Sequence, residues 1–247
     1  MSKSNHSVQL FVTCLVDSLF PEVGVAVVEV LNSSGFEVQF PKDQTCCGQP
    51  AYNAGYQHDA KKMAKHTIEL LESTEGPIVI PSGSCAAMIR HAYAELFREE
   101  PEWHSRAASL AERAFEFSEF VADECATFEP KSSRSGTLAY HPSCHLQRGL
   151  GIEKQPLSLL NRLGVEVFAL EAECCGFGGF FAIEHPEISG EILRRKLNEV
   201  HEAGSSTVVG CDVSCLMQIE GGLRKQDTEI RCAHLAQVLA GHEPGLR

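Results

Sequence analysis

Two hydrophobic periods alternate along this chain of 247 residues. Val8 to Val12 reads as a short strand ending just before Cys14, and it is followed by a stretch with the spacing of a helix. Between Pro21 and Asn32 the apolar positions Val23, Ala26, Val27, Val30 and Leu31 recur every three or four residues, which places them on one helical face. Gly35 supplies a helix stop. Phe36 to Phe40 alternates apolar and polar, the period of a half-buried strand. A helix is expected over residues 58–72, a fully apolar strand over Pro77 to Ile80, and a helix from Cys85 to Phe97. A further helical stretch, Glu102 to Ala114, holds the only tryptophan, Trp103.

The same succession then returns. Strands are expected at Thr137 to Tyr140, Val165 to Leu170 and Thr207 to Val209. Helices are expected at Pro156 to Leu163, stopped by Gly164, and at Ser189 to Ala203, with another beginning near Cys215. The ending Ala233 to Leu239 resembles Phe117 to Val121. The chain thus reads as two pseudo-repeated α/β units with parallel sheets, residues 1–126 and 127–247. The polar stretch 127–135 is the candidate linker.

The cysteines mark the repeat more sharply than the hydrophobic pattern does. Cys-Cys-Gly occurs at Cys46-Cys47-Gly48 and at Cys174-Cys175-Gly176. Each copy has a lone cysteine before it, Cys14 or Cys144, and one after it, Cys85 or Cys215. Cys144 lies 130 residues after Cys14, Cys174 lies 128 after Cys46, and Cys215 lies 130 after Cys85. An internal duplication accounts for that near-register. Every one of these thiols falls just after an expected strand or at the next helix start. In parallel sheets ligands collect at the carboxyl ends of strands, so each copy gathers four thiols at one end of its sheet.

Composition narrows the chemistry. The net charge of −12 disfavours nucleic acid, which wants a basic face, and disfavours anionic lipid. No apolar run reaches the ~20 residues of a membrane helix, and the start MSKSNHSVQLFVTC has no signal-peptide core. The expectation is a cytoplasmic protein, where eleven cysteines point to metal or redox work rather than to disulfides. Iron–sulfur clusters are held by cysteine thiolates, usually four. Helix N-termini at Cys85 and Cys215 would stabilise such anions, and Gly48 and Gly176 allow close backbone approach. Adjacent cysteines suit a cluster in which one thiolate bridges two irons. No Gly-x-Gly-x-x-Gly follows a strand, so no nucleotide or flavin site is evident.

The segments Phe11-Val12-Thr13-Cys14, Cys46 to Ala51, Pro81 to Cys85, Tyr140 to Cys144, Cys174 to Gly179 and Asp212 to Leu216 carry a family likeness. So does the insertion Glu100 to Trp103. The chain resembles the Cys-Cys-Gly cysteine-rich domain family, found in heterodisulfide reductase and in the glycolate oxidase iron–sulfur subunit, and most closely its lactate-utilisation branch. The resemblance covers essentially the whole chain. It implies an iron–sulfur electron-transfer subunit of a three-component complex that oxidises L-lactate to pyruvate, with other subunits of that complex as partners. One cluster would be held by Cys14, Cys46, Cys47 and Cys85, and another by Cys144, Cys174, Cys175 and Cys215. The reductase relatives hold non-cubane [4Fe–4S] clusters on five cysteines, the last two spaced Cys-x-x-Cys. Here the first member of that pair is Ser82 or Asp212. An ordinary [4Fe–4S] cluster, or one with an oxygen ligand from Ser82 or Asp212, is expected instead.

Other readings stay open. A thiol or disulfide reductase of the heterodisulfide type is one. A zinc-stabilised structural module is another, and zinc in one repeat with iron–sulfur in the other is a third. Cys211 stands four before Cys215 but aligns with Pro81, so the repeat does not demand it as a metal ligand. His141 and His145, with Cys211 and Cys215, could form a zinc site, although a polar loop or strand-end role is simpler for each. Cys125 and Cys232 read as buried small hydrophobes, and His58, His66 and His91 as surface residues on helices. The Trp103 insertion is either a docking patch or simple packing.

Overall fold

The computed structural model describes residues 7–125, 127–131 and 136–246. Of the candidate linker, residues 132–135 lie outside the described residues, as does residue 126 at the expected boundary.

The first repeat runs β1 (Ser7–Leu10), α1 (Cys14–Leu19), α2 (Pro21–Ser33), β2 (Glu37–Gln39), α3 (Gln49–Asn53), α4 (Gln57–Glu72), β3 (Ile78–Ile80), α5 (Gly83–Ala87), α6 (Tyr93–Leu96), α7 (Pro101–Ala111), β4 (Ala114–Glu116) and α8 (Phe117–Glu124). The second runs β5 (Thr137–His141), α9 (Lys154–Asn161), β6 (Glu166–Ala169), α10 (Phe181–Glu184), α11 (Pro186–Glu202), β7 (Thr207–Gly210), α12 (Val213–Lys225), β8 (Arg231–His234) and α13 (Leu235–Ala240). Wide π-turns occupy Met88–Ala92 and His145–Gly149.

Each repeat forms a four-stranded parallel sheet, and the strand orders correspond: β2-β1-β3-β4 and β6-β5-β7-β8. In register, Val8 opposes Val38 in the first sheet and Leu138 opposes Val167 in the second. The inner strands β3 and β7 are buried throughout, whereas β2 and β6 are largely exposed edges. That matches the continuous apolar run expected of an inner parallel strand. The chain leaves β1 to one side for β2 and returns on the other for β3, so each sheet has a switch point where ligands gather.

The expected helices and strands are found within a few residues. Val23, Ala26, Val27, Val30 and Leu31 of α2 are all buried, each large one contributing about 1.5–3 kcal/mol by leaving water. Two features depart from the sequence reading. Ala114 is not helical but begins the edge strand β4, and β8 closes the second sheet in the same way. The helix expected from Cys85 to Phe97 is interrupted by the π-turn at Met88–Ala92.

The repeats pack around an approximate two-fold relation. α2 lies on α13 while its counterpart α9 lies on α8, and α5 meets the π-turn at His145–Gly149 while α1 meets α12. One apolar core runs through both repeats, from Val8 and Val27 to Leu216 and Leu239. A second core, with Phe11, Ile68, Ile80 and Phe97, fills the other face of the first sheet. Gly83 lies at a tight contact between the repeats: a Cβ there would meet Leu146 Cβ at 2.9 Å.

Candidate metal centre

The loops after β1, β2 and β3 bring Cys14, Cys46, Cys47 and Cys85 together. Cys47 Sγ lies 3.3 Å from Cys85 Sγ, and Cys46 hydrogen-bonds both Cys14 and Cys47. The second repeat builds the same chain of contacts, Cys144 to Cys174, Cys174 to Cys175, and Cys175 to Cys215. In each group one thiol is readily ionised. Hydrogen bonds from Cys14 and Cys47 hold the Cys46 thiol far below its ordinary value, and those from Cys144 and Cys175 do the same for Cys174. The hydrogen bond to Cys46, then burial, raises Cys14, and Cys144 is raised likewise by Cys174. Cys47 and Cys175 are raised by their thiol neighbours and by burial. One thiolate makes the next costly, so full ionisation of either group calls for cationic charge at its centre.

The Cys-Cys-Gly loops depend on their glycines. Gly48 and Gly176 both take left-handed φ, 85° and 88°. At Gly176 space also forbids a side chain, since a Cβ would lie 2.6 Å from the Ser189 carbonyl oxygen. The freed Gly176 N–H donates to Cys174 Sγ at 3.3 Å, and Ser189 Oγ–H donates to the Gly176 carbonyl at 2.8 Å.

Ser82 and Asp212, the two positions where a fifth cysteine is absent, are helix caps that meet each other. Ser82 Oγ accepts the Cys85 N–H at 3.2 Å and donates to Asp212 Oδ2 at 3.2 Å. Asp212 Oδ2 also accepts the Ser84 N–H at 2.8 Å, while Oδ1 accepts the Ser214 N–H at 3.2 Å and the Ser214 hydroxyl at 2.6 Å. These oxygens are already engaged in capping α5 and α12 and in joining the repeats.

Several buried polar atoms beside the thiols have no partner among the described residues: Thr13 Oγ1, Ser143 Oγ, and both ring nitrogens of His141. Thr13 and Ser143 precede Cys14 and Cys144 and are also 130 residues apart. Buried donors are normally satisfied, and an anionic centre between the thiolates would supply acceptors for these. His141 ends β5 and is only 1% exposed. Its nitrogen and the sulfurs of Cys175 and Cys215 lie within 4.8 Å of one another. Burial, and next the nearby Lys196 ammonium, push its pKa down to about 4, so the imidazole is neutral, the form that binds metals. Clustered thiols, an imidazole and orphaned donors make a donor set fit to hold a soft or borderline metal.

The remaining candidates separate from this set. His145 Nδ1 stands 3.7 Å from Cys144 Sγ, and its Nε2 is 3.3 Å from Gln49 Nε2 of the first repeat. Cys211 is fully buried against Ser118 and Tyr140 and is not brought into the His141 group. The zinc grouping of His141, His145, Cys211 and Cys215 is therefore replaced by His141, Cys175 and Cys215. Nor does His141 fill the simpler role of a polar loop residue. Cys125 and Cys232 are buried in the shared core, and His58, His66 and His91 are exposed on helical turns. Trp103 packs on Phe97 at 5.8 Å and is covered by Arg106 at 3.9 Å and Lys65 at 4.7 Å, which accounts for it by packing.

A cavity of about 360 Å³ opens on the first thiol group. Cys14, Cys46 and Cys85 form one wall; Phe177, Phe180 and Ile183 of the second repeat form another. Nothing in the repeat pattern foretold this crossing of the second Cys-Cys-Gly loop onto the first site. The signal for Thr13 and Ser143 was present in the 130-residue offset.

Comparison with known proteins agrees with this architecture. The cysteine-rich domain family designated CCG matches residues 8–90 and 138–220, one match on each thiol group. "Lactate utilization protein A 1" of Bacillus anthracis is 44% identical over 94% of this chain and 97% of its own length. "Lactate utilization protein A" of an Exiguobacterium species is 44% identical over 94% of this chain and 96% of its own. The chain therefore belongs to the CCG cysteine-rich domain family, in the two-copy form of the lactate utilization protein A group. Among solved structures, a hypothetical protein from Helicobacter pylori superposes over 96% of this chain and 49% of its own, with TM-score 0.66 and 11% identity. That likeness speaks for the fold alone.

Proposed function

We propose that this chain is an iron–sulfur electron-transfer subunit of a cytoplasmic complex that oxidises L-lactate to pyruvate. The observation that carries the proposal is the duplicated four-thiol group at the switch points of two matching sheets. The relatives' printed name supplies the substrate pathway. Cys14, Cys46, Cys47 and Cys85 would hold one cluster, and Cys144, Cys174, Cys175 and Cys215 the other. Bound clusters of this kind, [4Fe–4S] in our reading, supply one-electron carriers. The protein's own part is to keep four thiols ionisable at each site, to give N–H and O–H donors to the anionic centre, and to exclude water with Phe177 and Phe180. Oxidation of lactate to pyruvate releases two electrons and two protons, and its chemistry falls to partner subunits in this account. Residues 1–126 and 127–247 would each be one cluster-bearing unit. No described helix is long and apolar enough to cross a membrane.

A host lacking this chain should lose growth on L-lactate as sole carbon source, and the wild-type chain should restore it. Cys175→Ser should not restore growth and should lower the iron content, whereas Cys232→Ser should do neither. Full growth with Cys175→Ser would refute the proposal. The cavity beside Cys14 and Cys46 favours one second reading, reduction of a small disulfide at the first thiol group. Turnover of a disulfide with a reduced artificial donor would support it.

A further inference from the structure

The two thiol groups are alike in sulfur and unlike in what stands behind it. The 130-residue offset that pairs Cys14 with Cys144 pairs Phe11 with His141. Phe11 is fully buried and belongs to the apolar core that includes Cys47 and Cys85. His141 occupies the equivalent place beside Cys175 and Cys215, equally buried but with both ring nitrogens unpartnered.

An imidazole buried in this way bears a desolvation cost for each unsatisfied nitrogen. A phenylalanine at the same place in the sister repeat avoids that cost. The histidine does not offset it: among the described residues neither nitrogen finds a hydrogen-bond partner. What the ring does have is position. One nitrogen and the two sulfurs fall within 4.8 Å of one another. Donor atoms around a single ion with metal–sulfur bonds of about 2.3 Å and metal–nitrogen bonds of about 2.0 Å stand roughly 3.5–3.8 Å apart. Small side-chain movements close the observed triangle onto one metal.

We propose that His141 is a direct metal ligand of the second site, so that the repeats hold unlike centres: all-thiolate in the first, thiolate with imidazole in the second. The metal is a borderline ion, either an iron of a cluster or zinc. This inference rests on the reading of both thiol groups as metal sites.

The test uses the whole chain, labelled with nitrogen-15 histidine, purified without oxygen and reconstituted with ferrous iron and sulfide. Metal analysis comes first, and pulsed electron paramagnetic resonance of the reduced protein second. A directly bound nitrogen should give a strong hyperfine coupling in the wild type and in His145→Gln. The coupling should vanish in His141→Phe, which installs the sister repeat's residue, while at least the first site's iron stays. If the second site takes zinc, zinc-edge X-ray absorption should show one nitrogen beside three sulfurs. Iron at both sites without nitrogen coupling in the wild type would overturn the inference alone, as would coupling that survives His141→Phe or zinc bound by four sulfurs. A chain that binds no metal at either site would overturn the proposed function as well, and metal analysis reports that outcome separately from the nitrogen signal.

Discussion

Asp212→Asn separates a structural carboxylate from a metal-binding one. Asp212 is 2% exposed, and each of its oxygens faces a backbone donor. Oδ2 accepts the Ser84 N–H at 2.8 Å and Oδ1 the Ser214 N–H at 3.2 Å. Asparagine keeps the shape but has one oxygen and one NH2. Whichever way the amide turns, its NH2 points at a backbone N–H, and one bond between repeats or one cap of α12 is lost. A hydrogen bond to a charged group contributes about 1.5–3 kcal/mol, and the buried donor left behind adds its own desolvation cost. We expect a loss of about 2–4 kcal/mol. At about 2–4 °C per kcal/mol for a chain approaching this size, that lowers Tm by roughly 4–16 °C. The assay is urea unfolding of the reduced, metal-free chain, with exposed Asp123→Asn as a control expected within about 0.5 kcal/mol of wild type. Iron content of the folded variant should be unchanged. An unchanged midpoint would refute the capping role, and lost iron with unchanged stability would make Asp212 a ligand.

Two further predictions concern backbone space and buried charge. Gly176→Ala should cost about 2–5 kcal/mol, combining a left-handed φ with a Cβ forced onto the Ser189 carbonyl. Gly204→Ala, at φ 62° with open space around it, should cost only about 1–2 kcal/mol, and equal losses in urea unfolding would contradict this. Burial raises the Glu116 carboxyl to about 8 from 4.5. The folded state then holds a proton that the unfolded state has released, so stability is greatest at low pH and falls as pH rises through that interval. Burial lowers His234 to about 4, which acts in the opposite sense only below about pH 6.5. Between pH 7 and 8 the low-lying Cys46 and Cys174 thiols act in the opposite sense, so the Glu116 effect is read as a difference: Glu116→Gln should make the slope of stability against pH more positive than in the wild type. A slope unchanged by that substitution would remove Glu116 as its source.

Much of this fold was legible because duplication wrote it twice. The α2 stripe of Val23, Val27 and Leu31 has a helical period, and the β-branched run Ile78–Ile80 is held to a strand by the prolines at 77 and 81. β4 and β8 escaped because Ala-Phe-Glu and Arg-Cys-Ala-His are short edge segments with no sustained alternation. The eight motif cysteines could be paired into groups by offset and by strand ends. The partnership of Ser82 with Asp212 could not, because it depends on how one repeat is turned against the other. The same holds for Phe177, Phe180 and Ile183, whose sequence places them with the second site while packing sets them over the first. His141 is the strand-end residue that its sequence suggests, but hydropathy does not record that a buried ring lacks partners.

Whether both thiol groups bear metal is read from the iron, acid-labile sulfide and zinc content of the chain purified without oxygen, with a visible spectrum of the same sample. Brown protein with about eight irons and about eight sulfides per chain is the predicted result for two four-iron clusters. Colourless protein with zinc alone would contradict the redox account.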